Sequence, residues 1–331
     1  MVVRSEIDLR EKLHTYHKQL GIHTLDYQSP ISGMQFQGEF NVSGYHREVQ
    51  QLVDGSFWGI DRCLRLQEEV DGYHSNVFHM GIYAKGTSSS DSNPLESGHF
   101  KQFQSSILDQ FIDLLTSLGI DPKNLEATYL ERFDIGGQSS VGRDRALKRT
   151  YRFQTDNISK LQLEYRGVPC YPLRSIQNID IHPFEMSLVG PRVEVARNGV
   201  EFATIVYDCF RIHDGELMPT NYIGGYALGV ERLFSTLNEG KEFIEIFDRY
   251  SAALEKLAFY VPVARSQLHK TDALTILFGA EALLQIRGVT SISRGQKKTL
   301  AKFKKKLDIA RQNLGLSEEE FNAIVDFYQL V

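Results

Sequence analysis

Nine consecutive residues, Gly225 to Leu233 (Gly-Tyr-Ala-Leu-Gly-Val-Glu-Arg-Leu), carry the clearest chemical signal in the chain. Small residues at Gly225, Ala227 and Gly229 alternate with apolar Tyr226, Leu228 and Val230. Successive side chains of a strand point to opposite faces, so this order leaves one face nearly bare. A planar ring can lie there. The pattern then becomes a helix-like run, Glu231-Arg232-Leu233-Phe234-Ser235-Thr236-Leu237, which sets Arg232 just past the strand's end. A flat floor beside a fixed guanidinium suits a nucleotide, with the base on the strand and a phosphate on the arginine. The same residues would also build a strand–helix packing corner with a surface ion pair, and the rest of the chain must decide between the two.

A chain of 331 residues has room for one large domain, or for one domain and a small appendage. The net charge of −5 argues against a nucleic-acid binder that relies on bulk positive charge, so any such contact needs a local patch. Three cysteines, Cys63, Cys170 and Cys209, show no metal-ligand spacing, which points to a reducing compartment and away from structural zinc. The N-terminus lacks the apolar core of a signal peptide, and no stretch is long and apolar enough to span a bilayer. A cytoplasmic protein with no membrane partner is expected.

Periodicity places the motif among recognisable neighbours. Residues 5–20 read as an amphipathic helix, 41–53 as a second, and 100–118 as a third, stopped by Gly119. Phe57-Trp58-Gly59-Ile60 reads as an apolar break. Strand signals cover Cys63–Leu66, Asn76–Met80, Leu125–Phe133, Val193–Val195 and Glu201–Phe210, with a polar turn at 68–72. A Ser/Gly/Asp/Asn-rich loop is expected over 86–98. Residues 134–180 alternate short strand-like runs with basic turns. A helix is expected over 240–259, and helices again from about 268 onward. The order predicts an α+β fold around an antiparallel sheet: a domain over 1–255 and a helical appendage over 256–331, with a soft boundary near Val261-Pro262-Val263.

The 225–233 stretch resembles motif 3 of the class II aminoacyl-tRNA synthetases. Cys63-Leu64-Arg65, a polar turn and His74-Ser75-Asn76-Val77-Phe78-His79-Met80-Gly81 resemble motif 2 of the same class. Within that class the chain is similar to alanyl-tRNA synthetase. Phe40-Asn41-Val42-Ser43-Gly44-Tyr45 resembles that family's Phe-Thr-Asn-Ala-Gly-Met, and His74–Met80 its His-His-Thr-Phe-Phe-Glu-Met. Phe184-Glu185-Met186 and Gly190-Pro191-Arg192-Val193-Glu194-Val195 resemble its Phe-Trp-Glu-Met and Gly-Pro-Cys-Ser-Glu-Ile. Asn198–Phe210 resembles its strand Glu-Ile-Trp-Asn-Leu-Val-Phe-Met-Gln-Phe.

The resemblance implies ATP and Mg2+ as cofactors. By it, Arg65 holds the α-phosphate, Arg232 the γ-phosphate, His74 the terminal phosphates, and Phe78 stacks on adenine over the Gly225, Ala227, Gly229 floor. Glu201 and Thr204 would serve the metal, and Arg65, Glu201 and Arg232 the chemistry. All would meet in one cleft. A homodimer is implied as well.

The amino-acid half departs from the family pattern. Gly224 or Gly225 stands where an ammonium-binding aspartate is expected. Thr204 replaces an asparagine and Phe184 a tryptophan. A changed pocket implies a changed substrate, with Glu194 or Asp208 as replacement carboxylates. The chain lacks the His-x-x-x-His signature of the family's editing domain and is too short for its later domains. Over 287–311, Lys297, Lys298, Lys302, Lys304, Lys305 and Lys306 surround Leu300, Phe303 and Leu307, with Asp308 the one acid. This helix presents either a solvated face or a contact for an anionic acceptor. The expected activity is amino-acid activation with transfer to tRNA, a carrier protein or a small amine. The alternative is a non-catalytic paralogue that senses an amino acid or regulates a partner.

Overall fold

The computed structural model describes residues 3–25, 46–131, 133–135, 151–153, 157–173, 179–181, 188–287 and 292–329. Its architecture is α+β, with a largely antiparallel sheet flanked by helices. The strands in chain order are β1 (His23–Thr24), β2 (Gly55–Leu64), β3 (Val77–Thr87), β4 (Glu126–Leu130), β5 (Phe133–Ile135), β6 (Tyr151–Phe153), β7 (Cys170–Leu173), β8 (Ile179–Ile181), β9 (Leu188–Arg197), β10 (Val200–His213) and β11 (Glu216–Gly229). The main sheet runs β1-β2-β3-β11-β10-β9-β4-β7, with β8 also on β9, while β5 and β6 form a separate ladder. Parallel pairing occurs at β1–β2 and β4–β7.

Two compact units divide the described residues. The first draws on described residues within 3–25, 47–60 and 81–233, and the second on those within 61–80 and 234–329. This division falls between Leu233 and Phe234 and adds residues 61–80 to the C-terminal helices.

The first three helices are α1 (Glu6–Gln19), α2 (His46–Gln51) and α3 (Gly98–Ser117), and in the first unit α1 and α3 cover one face of the sheet. Ser5 caps α1 by accepting a hydrogen bond from the Asp8 amide. The buried stripe of α3 includes Phe103, Ile107 and Phe111. A β-carbon on Gly224 would lie 2.9 Å from both Ile107 and Phe103 side chains, so this glycine sets how closely the helix approaches β11. From α1, the buried His17 ring stacks on Trp58 at 3.8 Å and ties to the sheet by hydrogen bonds. Its Nδ1 lies 2.7 Å from the Leu13 carbonyl, which can only accept, so Nδ1 carries the proton. The Tyr226 hydroxyl then donates to Nε2 at 2.7 Å, and Gln110 donates to that hydroxyl at 3.3 Å. Burial pushes the His17 ring down to about 4.

In the second unit, Ala282 of α8 (Lys270–Ile286) and Phe303 and Leu307 of α9 (Arg294–Leu314) form one buried cluster with Leu64, Leu66 and Val77. A β-carbon on Gly279 would meet Leu307 at 2.2 Å, so the two helices touch closely there. The buried Glu281 accepts a hydrogen bond from Tyr250 at 2.8 Å and faces Arg249 at 3.7 Å. Helix α10 (Glu318–Phe327) completes this layer. No described helix is long and apolar enough to cross a membrane.

Three sequence expectations need correction. Phe57–Ile60 is no break but the buried middle of β2, where burial on both faces erases the alternation that marks a half-exposed strand. The 240–259 helix is two helices, α6 (Phe243–Ile246) and α7 (Asp248–Tyr260), parted at Phe247, whose backbone is extended. Among residues 134–180, α4 (Asn157–Tyr165) is a helix with no strand character.

Candidate functional site

In the first unit the candidate residues Arg192, Glu194, Glu201 and Thr204 share the sheet face opposite α1 and α3. Along β11, Gly224, Tyr226 and Leu228 point back to the helices, leaving Gly225, Ala227 and Gly229 on the other face. The three small residues there do different work. A β-carbon on Gly225 would fall 1.9 Å from the Tyr83 carbonyl oxygen, so this position admits only glycine if β3 keeps its place. Gly229 is a seat for Arg232, because a β-carbon there would lie 3.2 Å from Arg232 Nε and 3.7 Å from its Cζ. Ala227 is half-buried and pairs with Thr204.

Arg232 belongs to α5 (Val230–Leu237), which follows β11 without a loop. Its Nη1 donates to the Glu201 carbonyl at 3.1 Å and sits 3.8 Å from the Glu201 carboxylate. The arginine side chain is 17% exposed and the glutamate 49%. Glu201 and Thr204 are three residues apart, which in a regular strand would put them on opposite faces. A bulge between Glu201 and Ala203 adds one residue, so Glu201 pairs with Ala196 while Thr204 pairs with Glu194. Ala196 and Glu194 share a face of β9, so the bulge returns Glu201 to Thr204's side.

Next across the sheet is Glu194. The Thr204 hydroxyl donates to its Oε2 at 2.6 Å, and Arg192 pairs with its Oε1. Burial pushes the Glu194 carboxyl up to about 7, and the Glu201 charge adds to the rise. The Arg192 charge and the Thr204 hydrogen bond oppose it. Arg192 is a site residue that the sequence reading does not single out. The available signal is the alternation Arg192-Val193-Glu194-Val195, charged on one face and β-branched on the other. Asp208 lies further along β10 and is 1% exposed.

The second unit holds the other predicted residues in a local hairpin. Arg65 N donates to Asn76 O at 2.9 Å, and Asn76 Nδ2 returns a bond to Arg65 O at 3.0 Å, which extends the β2–β3 ladder beyond the strand ends. The Arg65 guanidinium lies 5.2 Å from the Phe78 ring centroid, and its Nη1 is 2.8 Å from Glu68 Oε1. Phe78 is 6% exposed, so its ring is largely covered. His74 Nδ1 pairs with Asp71 at 2.8 Å across the turn. Gly72 O accepts from Phe243 N at 2.8 Å, and Tyr73 donates to Gly240 O at 3.0 Å, which docks the turn on the start of α6. Phe184 and the Phe40–Tyr45 segment lie outside the described residues.

The donor sets suit particular ligands. Glu201 and Thr204 offer hard oxygens on one face, the ligand type that Mg2+ takes. Arg232, held flat over Gly229, presents a planar fork for phosphate. Each predicted cation here stands beside a carboxylate, so an incoming anion would exchange one partner for another.

No protein-family model matches the sequence, and no curated protein matches it. Solved structures do. A pyrrolysyl-tRNA synthetase from Desulfitobacterium hafniense is 15% identical, with a TM-score of 0.38 over 74% of this chain and 74% of that one. An asparaginyl-tRNA synthetase from Entamoeba histolytica, in complex with asparaginyl-adenylate, is 10% identical, with a TM-score of 0.39 over 74% of this chain and 65% of that one. Both are class II aminoacyl-tRNA synthetases. The likeness is partial at these scores, and the roles of this chain's residues rest on their own geometry.

Proposed function

We propose that the chain activates an amino acid with ATP and passes the acyl group to an acceptor. The observation that carries this reading is the sheet face where Arg232 over Gly229, Glu201 returned by its bulge, and the Thr204–Glu194–Arg192 row lie together. In the reaction, a carboxylate oxygen of the amino acid attacks the α-phosphorus. The bond to the β-phosphate breaks and pyrophosphate leaves. The acceptor's nucleophile then attacks the acyl carbon, and AMP departs. Two anions must approach each other, so positioned cations do most of the work.

In this reading Arg232 binds the γ-phosphate and Arg65 the α-phosphate. His74 serves the terminal phosphates, Phe78 the adenine, and Ala227 and its neighbours the floor. Glu201 and Thr204 would hold Mg2+, which neutralises phosphate charge when bound. Glu194 takes the substrate ammonium; Asp208, buried, is the poorer candidate. The motif strings favour an alanyl-synthetase ancestry with a rebuilt amino-acid half. The acceptor is proposed to be a tRNA, contacted through the exposed lysines of α9, and the assembly a homodimer.

A second reading is a non-catalytic sensor. The pairing of Arg65 with Glu68 and of Arg232 with Glu201 favours it, because an arginine already neutralised binds phosphate less avidly. Amino-acid-dependent exchange of pyrophosphate into ATP separates the two. Exchange with one amino acid supports the ligase. Amino-acid binding by calorimetry without exchange supports the sensor.

A further inference from the structure

Arg192 occupies the place of cysteine in the Gly-Pro-Cys-Ser-Glu-Ile pattern, and it changes what the amino-acid half can bind. In β9, Arg192 stands opposite Val206 and Glu194 opposite Thr204, so both side chains rise from the face that carries Ala227. Arg192 is 32% exposed and Glu194 11% exposed, so the pair has an open, cationic end and a closed, anionic one. Thr204 holds the other oxygen of Glu194 at 2.6 Å. The carboxylate is therefore fixed in orientation from two sides.

The energetics select among substrates. An apolar side chain laid over this pair would strip water from the open end of Arg192 and leave it only the partners it already has, so the lost hydration is not replaced. A basic side chain would be repelled. A carboxylate meets a planar donor fork in Arg192. An ammonium group beside Glu194 supplies the counter-charge that Arg192 gives up.

We propose that the substrate is an amino acid with an acidic side chain. Its side-chain carboxylate binds Arg192, its ammonium binds Glu194, and its α-carboxylate is left free to attack ATP. This rests on the activation reading above and narrows it to a substrate class.

The test is pyrophosphate exchange with aspartate, glutamate, their amides, alanine, leucine and lysine, on the wild-type chain and on Arg192→Leu and Arg192→Lys. Aspartate or glutamate should support exchange, with the matching amide poorer by about 10²-fold or more in kcat/KM. Arg192→Leu should raise KM for the acid by about 10²-fold with a smaller change for the amide, and Arg192→Lys should fall between, since lysine keeps the charge but loses the fork. Circular dichroism checks that the variants fold, and Arg192→Lys carries the test if Arg192→Leu does not. Exchange driven by alanine, leucine or lysine, with KM unmoved by Arg192→Lys, overturns the substrate class and leaves the ligase standing. Absence of exchange with every amino acid overturns the ligase and this inference together.

Discussion

The two arginine sites are built in opposite ways. Arg65 is set by its neighbours in sequence: Glu68 three residues on, Asn76 across the turn and Phe78 beneath it. Arg232 joins a near seat, Gly229 three residues earlier at the end of β11, to a distant partner, Glu201, 31 residues earlier and placed by a bulge in β10. A local hairpin tolerates changes around it. A sheet face fails when its register does. The difference says where the molecule is brittle and where its sequence is readable.

The sharpest break in that comparison is a side chain at Gly225. Gly225→Val should destabilise the fold by about 3 kcal/mol, since overpacking against rigid backbone typically costs about 1–3 kcal/mol or more. Its hairpin counterpart, Glu68→Ala, removes a partly exposed ion pair and should cost under about 1 kcal/mol. Urea unfolding of both variants checks the ratio, and equal losses would erase the distinction.

Behind the floor, His17 gives a pH test. Its folded pKa of about 4 lies below the ordinary value of 6.5, so the unfolded chain binds the proton first as pH falls. The His17 contribution to stability should hold above 6.5 and decline between 6.5 and 4, by roughly 1.4 kcal/mol per unit at the steepest, while the raised Glu194 carboxyl contributes the opposite slope between about 7 and 4.5. His17→Phe should lower the plateau and change the slope by the His17 share alone. A slope unchanged in the variant would place the titration elsewhere.

Glu201→Gln keeps the size of the group that faces Arg232 but removes the charge proposed to hold Mg2+. The Mg2+ concentration for half-maximal exchange should rise several-fold, with little change in melting temperature. A smaller effect is expected at α9, where Lys297, Lys298 and Lys302 are exposed. If that face holds an RNA acceptor, neutralising all three should flatten log K against log salt by about two to three units, at roughly 0.7–0.9 per phosphate contact. An unchanged slope would make the stripe a solvated helix face.

Legibility divides along the same line. The motif 2-like hairpin is readable because Arg65, His74 and Phe78 fall within one turn and its flanking strands, where spacing in sequence is spacing in space. The 100–118 helix is readable from its period, and the 225–233 strand-to-helix switch from its change of period. The face that joins Glu194, Thr204 and Ala227 depends on register across three strands, which no single strand's pattern states. The bulge after Glu201 leaves no composition signature, so the pairing of Glu201 with Thr204 rests in the sequence on resemblance alone. The small residues themselves read as one bare floor, whereas packing gives Gly225 to the neighbouring strand and Gly229 to Arg232.

The central proposal is that Arg65 and Arg232 each serve the activation of an amino acid by ATP. Pyrophosphate exchange by Arg65→Ala and Arg232→Ala, side by side with the wild-type chain at saturating amino acid, tests it most directly. The account predicts that each loses about 10²-fold or more in rate while its melting temperature stays within a few degrees. Full exchange activity in Arg232→Ala would contradict it.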